Sequence, residues 1–147
     1  MKIIILITLS IFSLLCFSQE QKKETVYLLF DKGNKEKCSV PVEGKGNIKK
    51  DKFRKEYEDY GNIINFKICN ETFGFNKTKS FKDTCSMRTL EKIKLVDLDY
   101  LIHKYNSVYE FKHHVFDKIY LIEKISKDKI VKYEVGWIDE QIMIIDD

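Results

Sequence analysis

The stretch KIYLIEKISKDKIVKYEVGWI, residues 118–138, reads as two strands joined by a turn. Lys118–Ile125 and Ile130–Ile138 flank the polar Ser126-Lys127-Asp128-Lys129. Val131, Tyr133, Val135 and Trp137 recur at the two-residue period of a strand, with Lys132 and Glu134 on the opposite face. That alternation predicts a hairpin in a sheet with one wet side.

Working backwards, Asp97 is a good N-cap for a helix over Leu98–Tyr105, where Leu98, Leu101, Ile102 and Tyr105 form an amphipathic stripe. Leu90–Val96 reads as extended and Asn76–Thr84 as a surface loop. Ile63–Cys69 alternates clearly, with Thr72–Phe75 as its return partner. Val26–Asp31 and Cys38–Val42 suggest a further hairpin, and Pro41 places its strand at an edge. Lys49–Tyr60 reads as a short helix, because Phe53, Tyr57 and Tyr60 share helical spacing and Gly61 suits the C′ position. Its lysines crowd the start and its acids the end, against the helix dipole. Ile142–Ile145 suggests a short edge strand. The expected fold is α+β: an antiparallel sheet of five or six strands with one or two helices on one face.

The amino terminus reads as an address. Lys2 precedes the apolar run Ile3–Leu15, and polar sequence begins at Gln19-Glu20. This is the layout of a cleavable signal peptide over residues 1–18, cut between Ser18 and Gln19. The run is shorter than the roughly 20 apolar residues that span a bilayer core. The alternative is a lipid anchor on Cys16, which the large Leu14-Leu15 before it disfavours. The expectation is a secreted or periplasmic protein, with residues 19–147 forming one domain without a transmembrane span.

Removing residues 1–18 takes away Lys2 and Cys16, leaving 25 basic against 23 acidic side chains. So balanced a charge does not itself predict a polyanion partner. Basic–aromatic runs occur at Lys52–Tyr57 and Lys77–Lys82, but the acids Glu56, Glu58 and Asp59 blunt the first, and no nucleic-acid partner is expected. Cys38, Cys69 and Cys85 remain, and in an oxidising compartment two of them form a bridge. Cys38 with Cys69 ranks first, since both lie in strand-like segments. Asn70 and Asn76 fit the glycosylation sequon, which has meaning only in a eukaryotic secretory route.

Candidate chemistry centres on His113 and His114, with Glu110 and Asp117 nearby and His103 upstream. A helix would present the i,i+3 pair Glu110/His113 and the i,i+4 pair His113/Asp117 together. Adjacent histidines rarely chelate together, and a zincin pattern is missing, so neither metal nor cofactor is expected. There is no nucleophile elbow, phosphate loop or dinucleotide fingerprint. Oxidation makes a cysteine catalyst unfavourable. Tyr133, Trp137, Phe73 and Phe75 either pack a core or form a docking face, and core packing is the simpler reading. The expectation is a non-enzymatic binding module for a protein, a surface component or a small ligand. The alternative is a small secreted hydrolase with His113 or His114 as general base.

Overall fold

The computed structural model describes residues 23–41, 48–108 and 110–139. The signal peptide, its cleavage between Ser18 and Gln19, the Cys16 anchor and the Ile142–Ile145 strand lie outside the described residues. In chain order the strands are β1 (Thr25–Phe30), β2 (Lys35–Pro41), β3 (Ile48–Arg54), β4 (Glu56–Tyr60), β5 (Ile63–Ile68), β6 (Glu71–Asn76) and β7 (Lys82–Ser86). A 3-10 turn, Met87–Lys92, leads to β8 (Leu95–Val96). Helices α1 (Leu98–Asn106) and α2 (Lys112–Val115) precede β9 (Lys118–Lys124) and β10 (Lys129–Ile138).

The β9–β10 hairpin forms as its alternation predicts, with Leu121 opposite Tyr133 and Ile119 opposite Val135. It is the centre of an eight-stranded sheet ordered β4-β5-β6-β10-β9-β1-β8, with β7 also on β10. β10 pairs with β7 along Lys129–Tyr133 and with β6 along Gly136–Ile138. Gly136 faces Gly74 where the partner changes. A Cβ on Gly74 would come 3.1 Å from the Ile138 Cδ1, so a larger residue there needs that side chain to give by a few tenths of an ångström.

The sheet is larger than five or six strands, and it is mixed rather than antiparallel. β1 runs parallel to both β9 and β8 and does not pair with β2. The reason is in its composition. Val26, Leu28 and Phe30 are buried on one face, while Tyr27 and Leu29 are half-buried on the other. Such two-sided apolar strands belong inside a sheet with both faces covered. The link from β7 to β8 must cross β10, β9 and β1. Ile122 and Ile130 lie outside the main core cluster and are fully buried.

Main-core packing is aromatic. Phe30 meets Phe66 edge-to-face, Phe66 meets Tyr133, and Trp137 stacks on Phe73. Leu98 and Leu101 of α1 complete it, and Asp97 caps that helix by accepting from the Tyr100 N–H at 2.8 Å. Burying each such large side chain contributes roughly 1.5–3 kcal/mol. Tyr133, Trp137, Phe73 and Phe75 are all buried here, so none serves as a docking face.

The expected helix over Lys49–Tyr60 is instead two strands, β3 and β4, on either side of Lys55. Gly61 does adopt the left-handed conformation, with φ 63°, but in the β4–β5 turn rather than behind a helix. Two further corrections stand beside it: the 3-10 turn Met87–Lys92 takes in Leu90–Lys92, the start of the expected extended stretch Leu90–Val96, and β7 begins inside the expected loop.

Candidate functional site

The histidines do not converge. Glu110 pairs with Lys23 at 3.0 Å, Asp117 accepts from the Thr25 hydroxyl at 3.4 Å, and His103 lies on α1. α2 has only four residues and excludes Glu110 and Asp117, so the expected helical presentation is lost. His113 and His114 are exposed, their ring centroids 4.0 Å apart. His113 Nδ1 instead faces Asp139 Oδ2 at 3.4 Å. The buried Asp139 carboxylate also accepts from the Lys112 backbone N–H, satisfying the start of α2. The hairpin brings Asp139 there, because residues beyond the end of β10 lie beside those that precede β9. Among the described residues no three His, Cys, Asp or Glu side chains are grouped as a metal would need.

Beside this pair, Glu71 accepts from Lys112 Nζ and Trp137 Nε1, both at 2.6 Å. Both partners of the ion pair are largely buried, and the ammonium also sits over the Trp137 ring, 5.3 Å from its centroid. This network joins β6, α2 and β10. Its lone pairs and protons are used in holding the fold.

Cys38 and Cys69 are joined by a disulfide, with Cα atoms 5.8 Å apart. Cys69 has φ 59° in the two-residue β5–β6 turn, a conformation that costs a non-glycine residue of order 1 kcal/mol. Cys85 is free and half-buried, donating to Asp83 Oδ2 at 2.9 Å. That hydrogen bond, with burial, raises the Cys85 thiol above its ordinary range and opposes thiolate chemistry. Asn70 is exposed in the turn, while Asn76 Oδ1 accepts from Thr78 and Lys79.

The disulfide secures β2 and β3, a two-stranded ribbon outside the main sheet. Among the described residues β2 pairs with β3 alone, which suits Pro41. At the ribbon's base Lys55 binds Glu36 and donates to the Leu29 carbonyl at 2.9 Å. Gly33 N–H donates to the Lys55 carbonyl at 2.8 Å. Cys38 is buried, Glu36 and Phe53 are half-buried, and Lys35, Lys37, Lys52 and Arg54 are exposed. The ribbon therefore has an anchored face and an outward face.

On the outward face Lys35 is directly opposite Arg54, and Lys37 directly opposite Lys52. Among the described residues Lys35, Lys37 and Arg54 form no ion pair. Like charges placed directly across a strand pair destabilise it, by roughly 0.2–1 kcal/mol each. Between the ribbon, the β5–β6 turn and the start of α1 lies a cleft of about 400 Å³, whose lining includes the disulfide, Glu36, Glu71, Asp97 and Asp99. Lys37 also lines it, and its Glu36 and Glu71 are ion-paired with Lys55 and Lys112.

Sequence reading missed this face because a helix would mix Lys52 and Arg54 with Glu56, Glu58 and Asp59. In strands the acids belong to β4, in a different sheet. The available signal was period two: Lys50, Lys52 and Arg54 alternate with Asp51, Phe53 and Lys55. Among the described residues no helix is long and apolar enough to cross a membrane. No protein-family model, curated protein or solved structure matches this chain.

Proposed function

We propose that this protein is an exported, non-enzymatic binding module that meets its partner, a surface component, through the outward face of the β2–β3 ribbon. One observation carries the reading: two cross-strand pairs of like charge occupy an exposed face that a disulfide and the Lys55 contacts hold in place. The Lys35–Arg54 pair opposes folding, and its return is a preorganised cationic surface. The disulfide is compatible with the oxidising compartment that export implies.

Capture from the native extracellular or periplasmic fraction tests it. A component retained by the tagged protein and lost by Lys35→Glu/Lys37→Glu supports the ribbon. Equal retention by both overturns it.

The hydrolase alternative draws on the His113–Asp139 pair, since a buried carboxylate at Nδ1 would orient the imidazole of an exposed histidine. It predicts p-nitrophenyl ester turnover that His113→Ala and Asp139→Asn both abolish. No turnover by the unsubstituted protein removes that reading for acyl transfer.

A further inference from the structure

We propose that the Cys38–Cys69 bridge is a redox switch for the β2–β3 ribbon: a dithiol reductant opens it in the folded protein and frees the ribbon while the main sheet stays folded. Where this bears on binding it rests on the ribbon being the binding surface, and it adds the regulation of that surface: reduction turns binding off.

Among the described residues β2 and β3 pair only with each other, and two clefts lie between the ribbon and the body. The larger, about 400 Å³, has Glu36, Lys37 and Cys38 on the ribbon side and Cys69, Asp97 and Ile102 on the body side. The smaller, about 230 Å³, sets Glu36 and Lys55 against Leu29, Val96 and Leu98. The disulfide crosses this gap, and at the ribbon's base the Lys55 ammonium donates to the Leu29 carbonyl at 2.9 Å. The Lys55–Glu36 ion pair joins the two limbs of the ribbon to each other rather than to the sheet. Breaking the bridge therefore costs the ribbon and not the core. A two-stranded hairpin is at best marginally stable alone, and the Lys35–Arg54 repulsion weakens this one further. Phe66, Phe73 and Trp137 lie on β5, β6 and β10, whose pairing does not involve the ribbon.

A freed ribbon carries the Cys38 thiol away from Cys69. That lowers the effective concentration of one thiol at the other and favours the reduced state. The larger cleft gives a reagent its approach, since both cysteines line it and Cys69 is half-buried. A thiolate of the dithiol attacks the Cys69 Sγ, the bridge breaks, and Cys38 leaves as a thiolate that takes a proton from water. The second thiol of the reductant, deprotonated, attacks the mixed disulfide and releases Cys69. Two electrons have passed to the bridge, and the reductant has become a cyclic disulfide.

The test treats the exported protein with dithiothreitol in the absence of denaturant and follows thiols, hydrogen exchange and capture of the native component together. Reactive thiols should increase from Cys85 alone to Cys38, Cys69 and Cys85. Exchange should quicken at least about tenfold in β2 and β3 and stay unchanged in β9 and β10, and reoxidation should restore it. Cys38→Ser/Cys69→Ser should exchange fast in the ribbon from the outset and ignore dithiothreitol. A bridge that resists reduction until β9 and β10 also exchange overturns the switch, as does reduction that leaves β2 and β3 protected. Ribbon-dependent capture that reduction does not weaken overturns the regulation and leaves the binding reading standing. Ribbon loosening in a protein that captures nothing while oxidised upholds the switch and rejects the binding reading.

Discussion

Lys35 lies directly across the ribbon from Arg54, both exposed and both cationic. A protein selected only for stability gains by changing either one. Lys35→Glu replaces a repulsive cross-strand pair with an attractive one and should stabilise the fold by about 0.5–1 kcal/mol. Urea unfolding with an unchanged m-value checks this. A loss of stability would mean that the Lys35 side chain supports the ribbon in another way.

The Cys38–Cys69 bridge closes a loop with a sequence separation of 31. Loop-closure entropy for that length predicts a loss of about 3–4 kcal/mol in Cys38→Ser/Cys69→Ser. The ribbon should loosen first, so hydrogen exchange should quicken in β2 and β3 before β9 and β10. Thiol counting on the denatured, unreduced protein should find Cys85 alone. Three free thiols would contradict the bridge.

Glu71, Lys112 and Trp137 form a largely buried network, and removal of one charge leaves the other without its partner. Lys112→Met should cost roughly 2–4 kcal/mol, whereas Glu71→Gln/Lys112→Met together should cost less than the sum of the single changes. A thermal-melt double-mutant cycle gives the coupling. An additive result would show that the two side chains act independently.

The strands with strict alternation were legible from residues alone: β5, β6, β9 and β10 stand where Ile64, Phe66, Ile68 and the Val131–Trp137 series place them. The stripe and cap of α1 were equally readable, because local chemistry fixes both. What escaped was pairing. Nothing local in Val26–Phe30 states that its neighbours are β8 and β9; that depends on which apolar faces remain to be covered once the later strands exist. The ribbon escaped for a related reason. Phe53, Tyr57 and Tyr60 mimic a helical stripe, but Phe53 turns to the anchored face of β3 while Tyr57 and Tyr60 belong to a strand in another sheet. His113 and Asp139 are 26 residues apart, and only the closed hairpin makes them neighbours.

Burial, together with the hydrogen bond it donates to Glu123 at 3.0 Å, holds the Tyr133 hydroxyl well above its ordinary range. A phenol whose folded pKa exceeds its unfolded value near 10 keeps its proton longer in the native state. Its contribution is therefore complete below about pH 10 and is lost as pH rises beyond that. Stability measured across that range should fall, and should fall less steeply in Tyr133→Phe. Equal slopes would place the alkaline loss elsewhere.

The most direct test of the ribbon as the binding surface is an amide chemical-shift map of the protein titrated with dextran sulfate as a polyanion. The largest shifts should cluster at Lys35–Lys37 and Lys52–Arg54 and disappear in high salt. Shifts centred on His113, His114 and Asp139, or on the cleft lined by Asp97 and Asp99, would contradict it.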